Sequence, residues 1–322
     1  MTEQFKETLA DKTALILGAT GGVGGAVSEV LLARGWTIRA LTRDPARAAA
    51  GRDPAIRWIK GDAMDRAAVV AAAEGSSLVV HAVNPPGYRD WDRLVLPMMD
   101  NSIAATRAAG ARLLLPGTVY NYGPDAFPVL REGSPQRPRT RKGKIRAAME
   151  RRLQESGVPA LVVRAGDFFG GRGAGNNWFA QGLVKAGTPL ESIARPGARG
   201  VGHGWAYLPD LAEAMAQLIE RTPAEGFQTF HFAGQWDADG TQMIGAIRRA
   251  AGREVKVKAF PWPLVALLSP AVVLFREMLE MRYLWREPLE LDNAKLLAVL
   301  GREPHTPLDE AVKTTLVQLK CL

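Results

Sequence analysis

Ala14-Leu15-Ile16-Leu17-Gly18-Ala19-Thr20-Gly21-Gly22-Val23-Gly24-Gly25, followed by the helix-forming stretch 26–33, decides the fold of this 322-residue chain. An apolar strand runs into a glycine turn, and the turn opens a helix. Glycines at 18, 21 and 24 let the backbone turn tightly off the strand end, approach a pyrophosphate without a Cβ in the way, and pack the helix against the sheet. The helix N-terminus then offers unpaired N–H groups and the positive end of its dipole to the phosphates. A glycine triplet alone reads equally well as a turn; strand before and helix after make it a dinucleotide site. The expected contacts are Gly18, Thr20, Gly21, Gly22, Val23 and Gly24.

Working outward, residues 36–41, 56–59, 78–81, 112–115 and 160–163 read as further strands, separated by helical stretches at 65–73, 91–109 and 144–155. Strands alternating with helices imply an α/β fold, a doubly wound parallel sheet covered on both faces. From 170 to 205 the pattern breaks into glycine, proline, arginine and aromatic residues, where a substrate pocket would be built. A helix at 209–220 and a strand at 229–232 return to the sheet, and the chain from 234 reads as a smaller, mainly helical region closing the pocket. The expected division is a dinucleotide-binding domain over 1–169, with 206–233 returning to it, and a substrate region from 170–205 and 234–322.

With 47% hydrophobic residues the chain can bury a large core. Its one cysteine, Cys321, excludes disulfides within one chain, and the dispersed His81, His203, His231 and His305 suggest no metal site. The start of the chain mixes charges without an apolar core, so no secretory signal and a cytoplasmic location are expected. The longest uncharged stretch, residues 259–275, has Pro261, Pro263, Ser269 and Pro270 in it, so it reads as a core segment, pocket wall or subunit contact rather than a membrane span. The net charge of +8 is concentrated between Arg131 and Arg152, where nine bases meet only Glu132 and Glu150. No nucleic-acid-reading module accompanies them, which leaves a solvated helix face or an attraction for an anionic cofactor or substrate. Neither nucleic acid nor membrane is therefore an expected partner.

The residue after the second strand selects the nicotinamide cofactor. An acid there would bond the ribose 2′-hydroxyl and repel a 2′-phosphate; this chain has Thr42-Arg43, with Arg47 one helical turn on. NADP(H) is the expected cofactor, and Asp44-Pro45 also reads as a helix cap.

Thr20-Gly21-Gly22-Val23-Gly24, Gly61-Asp62, the stretch 118–123, Arg164-Ala-Gly-Asp-Phe-Phe-Gly170, Trp205-Ala-Tyr-Leu-Pro-Asp210-Leu-Ala and Leu300-Gly-Arg-Glu-Pro-His-Thr-Pro-Leu308 follow one another in the order of the extended short-chain dehydrogenase/reductase superfamily, which the chain resembles along nearly its whole length. That branch includes sugar-nucleotide epimerases and dehydratases. The resemblance implies that Asp62 contacts the adenine, that Ala82 and Val83 line the cofactor near its ribose, and that Thr118 holds the catalytic serine/threonine position. It also matches the helices near 91–109 and 144–155 to those that pair subunits in relatives, which leaves a homodimer open.

One departure matters chemically. Relatives that oxidise alcohols or reduce carbonyls carry Tyr-x-x-x-Lys on the helix after strand five, and the matching positions are read as Thr140-Arg-Lys-Gly-Lys144. The lysine is kept and the tyrosine is not. A threonine hydroxyl is far too weak an acid to replace a phenol, although Thr140 can donate a hydrogen bond and Lys144 can hold the nicotinamide ribose. Substitutes for the proton donor are Lys144 itself, Tyr120 or Tyr122 from the strand-five loop, and His203 or Asp167 from the pocket side. Asp167, Phe168, Trp178 and His203 are candidates for substrate contact; aromatics with nearby Arg172, Arg195 and Arg199 would suit a planar, anionic molecule. The reading is an NADP(H)-dependent oxidoreductase or epimerase/dehydratase-like enzyme transferring hydride to a small organic substrate. The alternative is a catalytically inactive NADP(H)-sensing protein.

Overall fold

The computed structural model describes residues 12–85, 90–172 and 177–322, so the charged start of the chain lies outside the described residues. Strands are β1 (Thr13–Leu17), β2 (Thr37–Thr42), β3 (Arg57–Lys60), β4 (Leu78–His81), β5 (Arg112–Thr118), β6 (Val129–Leu130), β7 (Ala160–Ala165), β8 (Asp167–Phe169), β9 (Ser192–Arg195), β10 (His203–Tyr207), β11 (Phe227–Phe232), β12 (Gln235–Asp237), β13 (Lys256–Ala259) and β14 (Glu290–Leu291). Helices are α1 (Gly22–Ala33), α2 (Pro45–Ala49), α3 (Arg66–Ala73), α4 (Trp91–Ala109), α5 (Arg141–Glu155), α6 (Leu208–Arg221), α7 (Gln242–Ala251), α8 (Trp262–Leu268), α9 (Val273–Glu280), α10 (Ala294–Leu300) and α11 (Leu308–Gln318).

Seven strands form one parallel sheet in the order β11-β7-β5-β4-β1-β2-β3. The inner strands β1, β4, β5 and β7 are nearly continuous apolar runs because both faces are covered, whereas β2, β3 and β11, toward the edges, are more polar. In β1, Ala14 and Ile16 pack with Val27 and Leu31 of α1 and Leu211 and Met215 of α6, while Leu15 and Leu17 face Val69 and Ala72 of α3 and Ala105 of α4. The chain winds outward from β1 through β2 to β3, then returns to β4 on the other side. This reversal leaves a crevice beyond the carboxyl ends of β1 and β4, where open α/β sheets bind ligands.

A second core joins the elements that follow the sheet. Phe169, Phe179, Trp205, Ile247, Trp262, Leu284 and Trp285 are buried together there. The region from 234 is less purely helical than its sequence suggests: β12 pairs with β10, β13 with β9 and β14 with β6.

The basic stretch 131–152 is not a uniformly solvated face. Arg131 pairs with Asp292 at 3.2 Å, Arg137 with Asp125 at 3.5 Å, Arg152 with Asp100, and Arg141 and Lys142 with Glu277 and Glu280. Acids distant in sequence neutralise much of what looks, read locally, like unbalanced charge.

Candidate active site

A cleft of about 720 Å³ begins at the β1/β4 reversal. Leu17, Gly18 and Thr20 to Val23 form one wall, Leu41 to Arg43 and Gly61 to Met64 another, and His81 to Pro85 a third. Gly18 has φ +94°, and a Cβ on it would stand 2.5 Å from the Ala82 carbonyl oxygen. A Cβ on Gly24 would stand 2.3 Å from the Gly18 oxygen. Neither position admits a side chain, so the loop lies flat between α1 and the end of β4. No side chain caps α1 and no acid occupies its first turn, so the helix end is left for an anion. These features fit the dinucleotide that the glycine pattern implies.

Arg43 follows β2 as an exposed cation on the cleft wall. Arg47 does not line the cleft; its N–H donates to Asp44 Oδ1 at 3.1 Å, so Asp44 caps α2. Asp62, Ala82, Val83, Thr118 and Tyr120 all line the cleft. Asp62 Oδ1 accepts from Met64 N–H at 2.9 Å, and Thr118 Oγ1 accepts from Tyr120 N–H at 3.3 Å. His81 is buried at the end of β4, its Nδ1 2.7 Å from Ser102 Oγ. Burial, helped by the charge of Arg146, takes its pKa down to about 3, so the ring is neutral at ordinary pH.

The helix that should carry the proton donor turns differently from its sequence reading. It begins at Arg141, three residues before 144, and Thr140 is its N-cap, Oγ1 accepting from Gly143 N–H at 3.0 Å. Lys144 is exposed, and neither it nor Thr140 lines the cleft. The inward face holds Lys142, Gly143, Met149, Glu150 and Leu153. Gly143 fixes this register, because a Cβ there would meet the Tyr120 carbonyl oxygen at 2.3 Å. The side chains one turn apart that point inward are therefore Lys142 and Arg146. Arg146 lines the cleft with its guanidinium 5.1 Å from the centre of the Trp91 ring.

Lys142 is 2% exposed. Its Nζ contacts Glu277 Oε2 and lies 2.9 Å from Glu280 Oε2, tying the start of α5 to α9. Burial by itself would raise both carboxyl pKa values; the Lys142 ammonium, aided by Arg141, holds both below the ordinary carboxylate range. Glu277 also lines the cleft, with Leu274 and Met278 of α9 and Met281 after it.

Asp167 and Phe168, on β8, and Trp178 form the far wall. Asp167 Oδ2 is 2.9 Å from His203 Nε2, and His203 Nδ1 is 3.2 Å from the Leu284 carbonyl oxygen. The imidazole stacks on Trp285 with 3.9 Å between ring centres. His203 thus stands behind Asp167. Trp178 packs edge-on against Trp285 at 5.3 Å and Phe260 at 5.9 Å.

Tyr122 does not reach the cleft. Its hydroxyl is 2.7 Å from both His231 Nε2 and Arg164 NH1, inside a buried network closed by the Arg164–Glu150 ion pair. Tyr283 has a buried hydroxyl with no hydrogen-bond partner among the described residues; burial, with the carboxylates of Asp167 and Glu280, pushes its pKa up. Lys142, Arg146, Glu277 and Tyr283 were not singled out as site residues from the sequence. The glycine inside α5 was the available signal for its register, since an interior helical glycine usually marks a close approach.

The family profile described as NAD(P)H-binding matches residues 18–195. The chain is 28% identical over 279 residues to 3-diazoavenalumate denitrifying reductase of a Streptomyces species, covering 80% of this chain and 86% of that protein. It is 36% identical over 95 residues to sterol demethylase protein B of Methylococcus capsulatus, covering 30% and 28% of the two chains. UDP-glucose 4-epimerase of Thermotoga maritima superposes with a TM-score of 0.75 at 15% identity, over 96% of this chain and 98% of that one, a likeness of fold.

Proposed function

The chain belongs to the NAD(P)H-binding family, with the fold of the epimerase/dehydratase-like short-chain dehydrogenases/reductases, and from that premise we propose that it is an NADPH-dependent reductase of a small, largely apolar organic substrate. The observation that carries this reading is the continuity of the cleft, which joins the glycine loop to Asp167, Phe168 and Trp178 without a break. A bound nicotinamide would supply hydride. Arg43, in place of an acid, pairs with a 2′-phosphate, and Arg146, one turn from Lys142, takes the ribose-holding place that the resemblance assigns to a lysine. A parallel in reaction type is the Streptomyces relative, whose name makes it a reductase acting on a diazo compound.

Lys142, committed to two carboxylates, does not donate the proton. That role goes to the Asp167–His203 pair. His203 Nδ1–H donates to the Leu284 carbonyl oxygen, and the contact between Nε2 and Asp167 Oδ2 is a hydrogen bond only when a second proton sits between them, on the ring or on the carboxyl. The second proton is the one the pair can release. The Asp167–His203 proton would go to the substrate atom that does not take the hydride, and solvent would then recharge the pair. Thr118, at the end of β5, orients the reacting oxygen.

NADPH oxidation against a panel of carbonyls, enones, a nucleotide sugar and a diazo compound tests the reading. Asp167→Asn should lower turnover on the accepted substrate by about a hundredfold, the scale of a lost general acid, and leave NADPH affinity unchanged. Undiminished turnover in Asp167→Asn would refute the proton role. NADPH binding with no turnover across the panel would favour the inactive sensor.

A further inference from the structure

Ten large apolar side chains are exposed among the described residues, and six of them fall within residues 264–274: Leu264, Leu267, Leu268, Val272, Val273 and Leu274. They cover the outside of one short helical hairpin. α8 and α9 are joined by a turn in which the Ala271 and Val272 N–H groups donate to the Leu268 carbonyl at 3.1 and 3.0 Å. Trp262 and Val265 of α8 point inward and are buried, whereas Leu264, at 52%, and Leu267, at 75%, point outward. A helix that is apolar on both faces needs an apolar surrounding on both.

The rim of this surface is basic. Lys256 and Lys258 are exposed on β13 just before α8, Arg276 is exposed on α9, and the Arg282 guanidinium lies 4.9 Å from the centre of the Trp262 ring. No charged residue falls between Lys258 and Arg276. The nearest acids that follow, Glu277 and Glu280, are paired with Lys142 and Arg141, and Glu277 also holds Arg276 Nε at 3.2 Å, which leaves Lys256, Lys258 and Arg282, among the described residues, as the rim cations that neither acid pairs with. An apolar patch flanked by cations matches an anionic lipid surface, with acyl chains beneath and phosphate groups at the level of the bases. We propose that the α8–α9 hairpin docks on an anionic phospholipid bilayer and lies in its interface, independently of which reaction the cleft performs.

No helix among the described residues is long and apolar enough to cross a membrane. The absence of membrane association expected from the sequence rested on that length and on the prolines, which count against crossing. An interfacial hairpin needs neither length nor freedom from proline. Leu274 lies both on the exposed face and on the cleft wall, with Met278 of the same helix, so the docked surface would border the mouth of the cleft.

Co-sedimentation of the full chain with extruded vesicles tests the proposal, using phosphatidylcholine alone and phosphatidylcholine mixed with phosphatidylglycerol. Binding should require phosphatidylglycerol and weaken with added salt. The double change Leu264→Asp with Leu267→Asp should lower partitioning by about tenfold or more, as should Lys256→Glu with Lys258→Glu. These four residues do not line the cleft, so unchanged circular dichroism and NADPH affinity certify the fold of the variants. No vesicle binding by the parent protein, or equal binding by the leucine variant, would overturn the proposal. So would a dimer in light scattering that Leu267→Asp splits, with no vesicle binding, since the face would then be a contact between copies. Vesicle binding without NADPH binding would leave this inference standing and remove the functional one.

Discussion

Replacing Lys142 by methionine should destabilise the protein far more than replacing Lys144, although the two lie in one run of bases. Lys142 is 2% exposed, and its ammonium stands between two carboxylates of α9 whose side chains are 7% and 13% exposed. Lys142→Met keeps the length of the side chain and removes the cation, leaving Glu280 with Arg141 and Glu277 with Arg141 and Arg276, both largely in solvent. Breaking a buried pair from one side costs about 3–5 kcal/mol, and the lower end applies because Arg141 and Arg276 remain. Lys144→Met removes an exposed charge and should change stability by at most about 0.5 kcal/mol. The loss depends on pH with a definite sign. In the parent, both carboxyl pKa values are held below the ordinary range, so their stabilisation is present above that range and fades as pH falls through the depressed values. In Lys142→Met, burial without the cation pushes the same values up, so stability fades as pH rises. Both effects widen the gap between parent and variant with pH. Urea unfolding followed by tryptophan fluorescence should show a large drop in midpoint near pH 7 and a much smaller one near pH 4. Equal drops for Lys142→Met and Lys144→Met, or a gap unchanged with pH, would refute both the helix register and the electrostatic account.

At the other end of the cleft, NADPH should bind at least tenfold more tightly than NADH, a difference of about 1.4 kcal/mol, and Arg43→Ala should erase most of it; equal affinities by calorimetry in the parent would contradict the role of Arg43. Gly24→Val should abolish nucleotide binding, because even its Cβ would meet the Gly18 oxygen at 2.3 Å; dinucleotide affinity retained in a fluorescence titration would show that the loop does not hold the phosphates.

The parallel sheet was legible because its signals are local. Ala14 to Leu17, the glycines after them and the apolar runs of β4, β5 and β7 each declare themselves within a few residues. The start of α5 was not legible in this way. In Thr140-Arg-Lys-Gly-Lys-Ile-Arg146 the bases are chemically alike, and what distinguishes the buried Lys142 from the exposed Lys144 is across the fold. The Tyr120 carbonyl presses on Gly143 from 23 positions earlier, and Glu277 reaches Lys142 from 135 positions later. Asp167 and His203 were both marked as candidates, but their hydrogen bond and the Leu284 carbonyl behind it belong to the packing of β8, β10 and the segment after α9, which no periodicity foretells. The apolar stretch 259–275 was visible as composition; that one face of it is buried and the other bare was not.

The Lys142 clamp also constrains the routes by which this protein can change. Lys142→Tyr would put a phenol one turn from Arg146, yet alone it would bury two carboxylates without their counter-ion. Glu277→Gln and Glu280→Gln, made alone, would leave the buried ammonium short of partners. Each step is harmful until the others are made, so the effects of the three substitutions will depend strongly on their order. Random single-step mutagenesis should therefore fail to recover a phenol at this position, whereas a designed triple substitution can reach it.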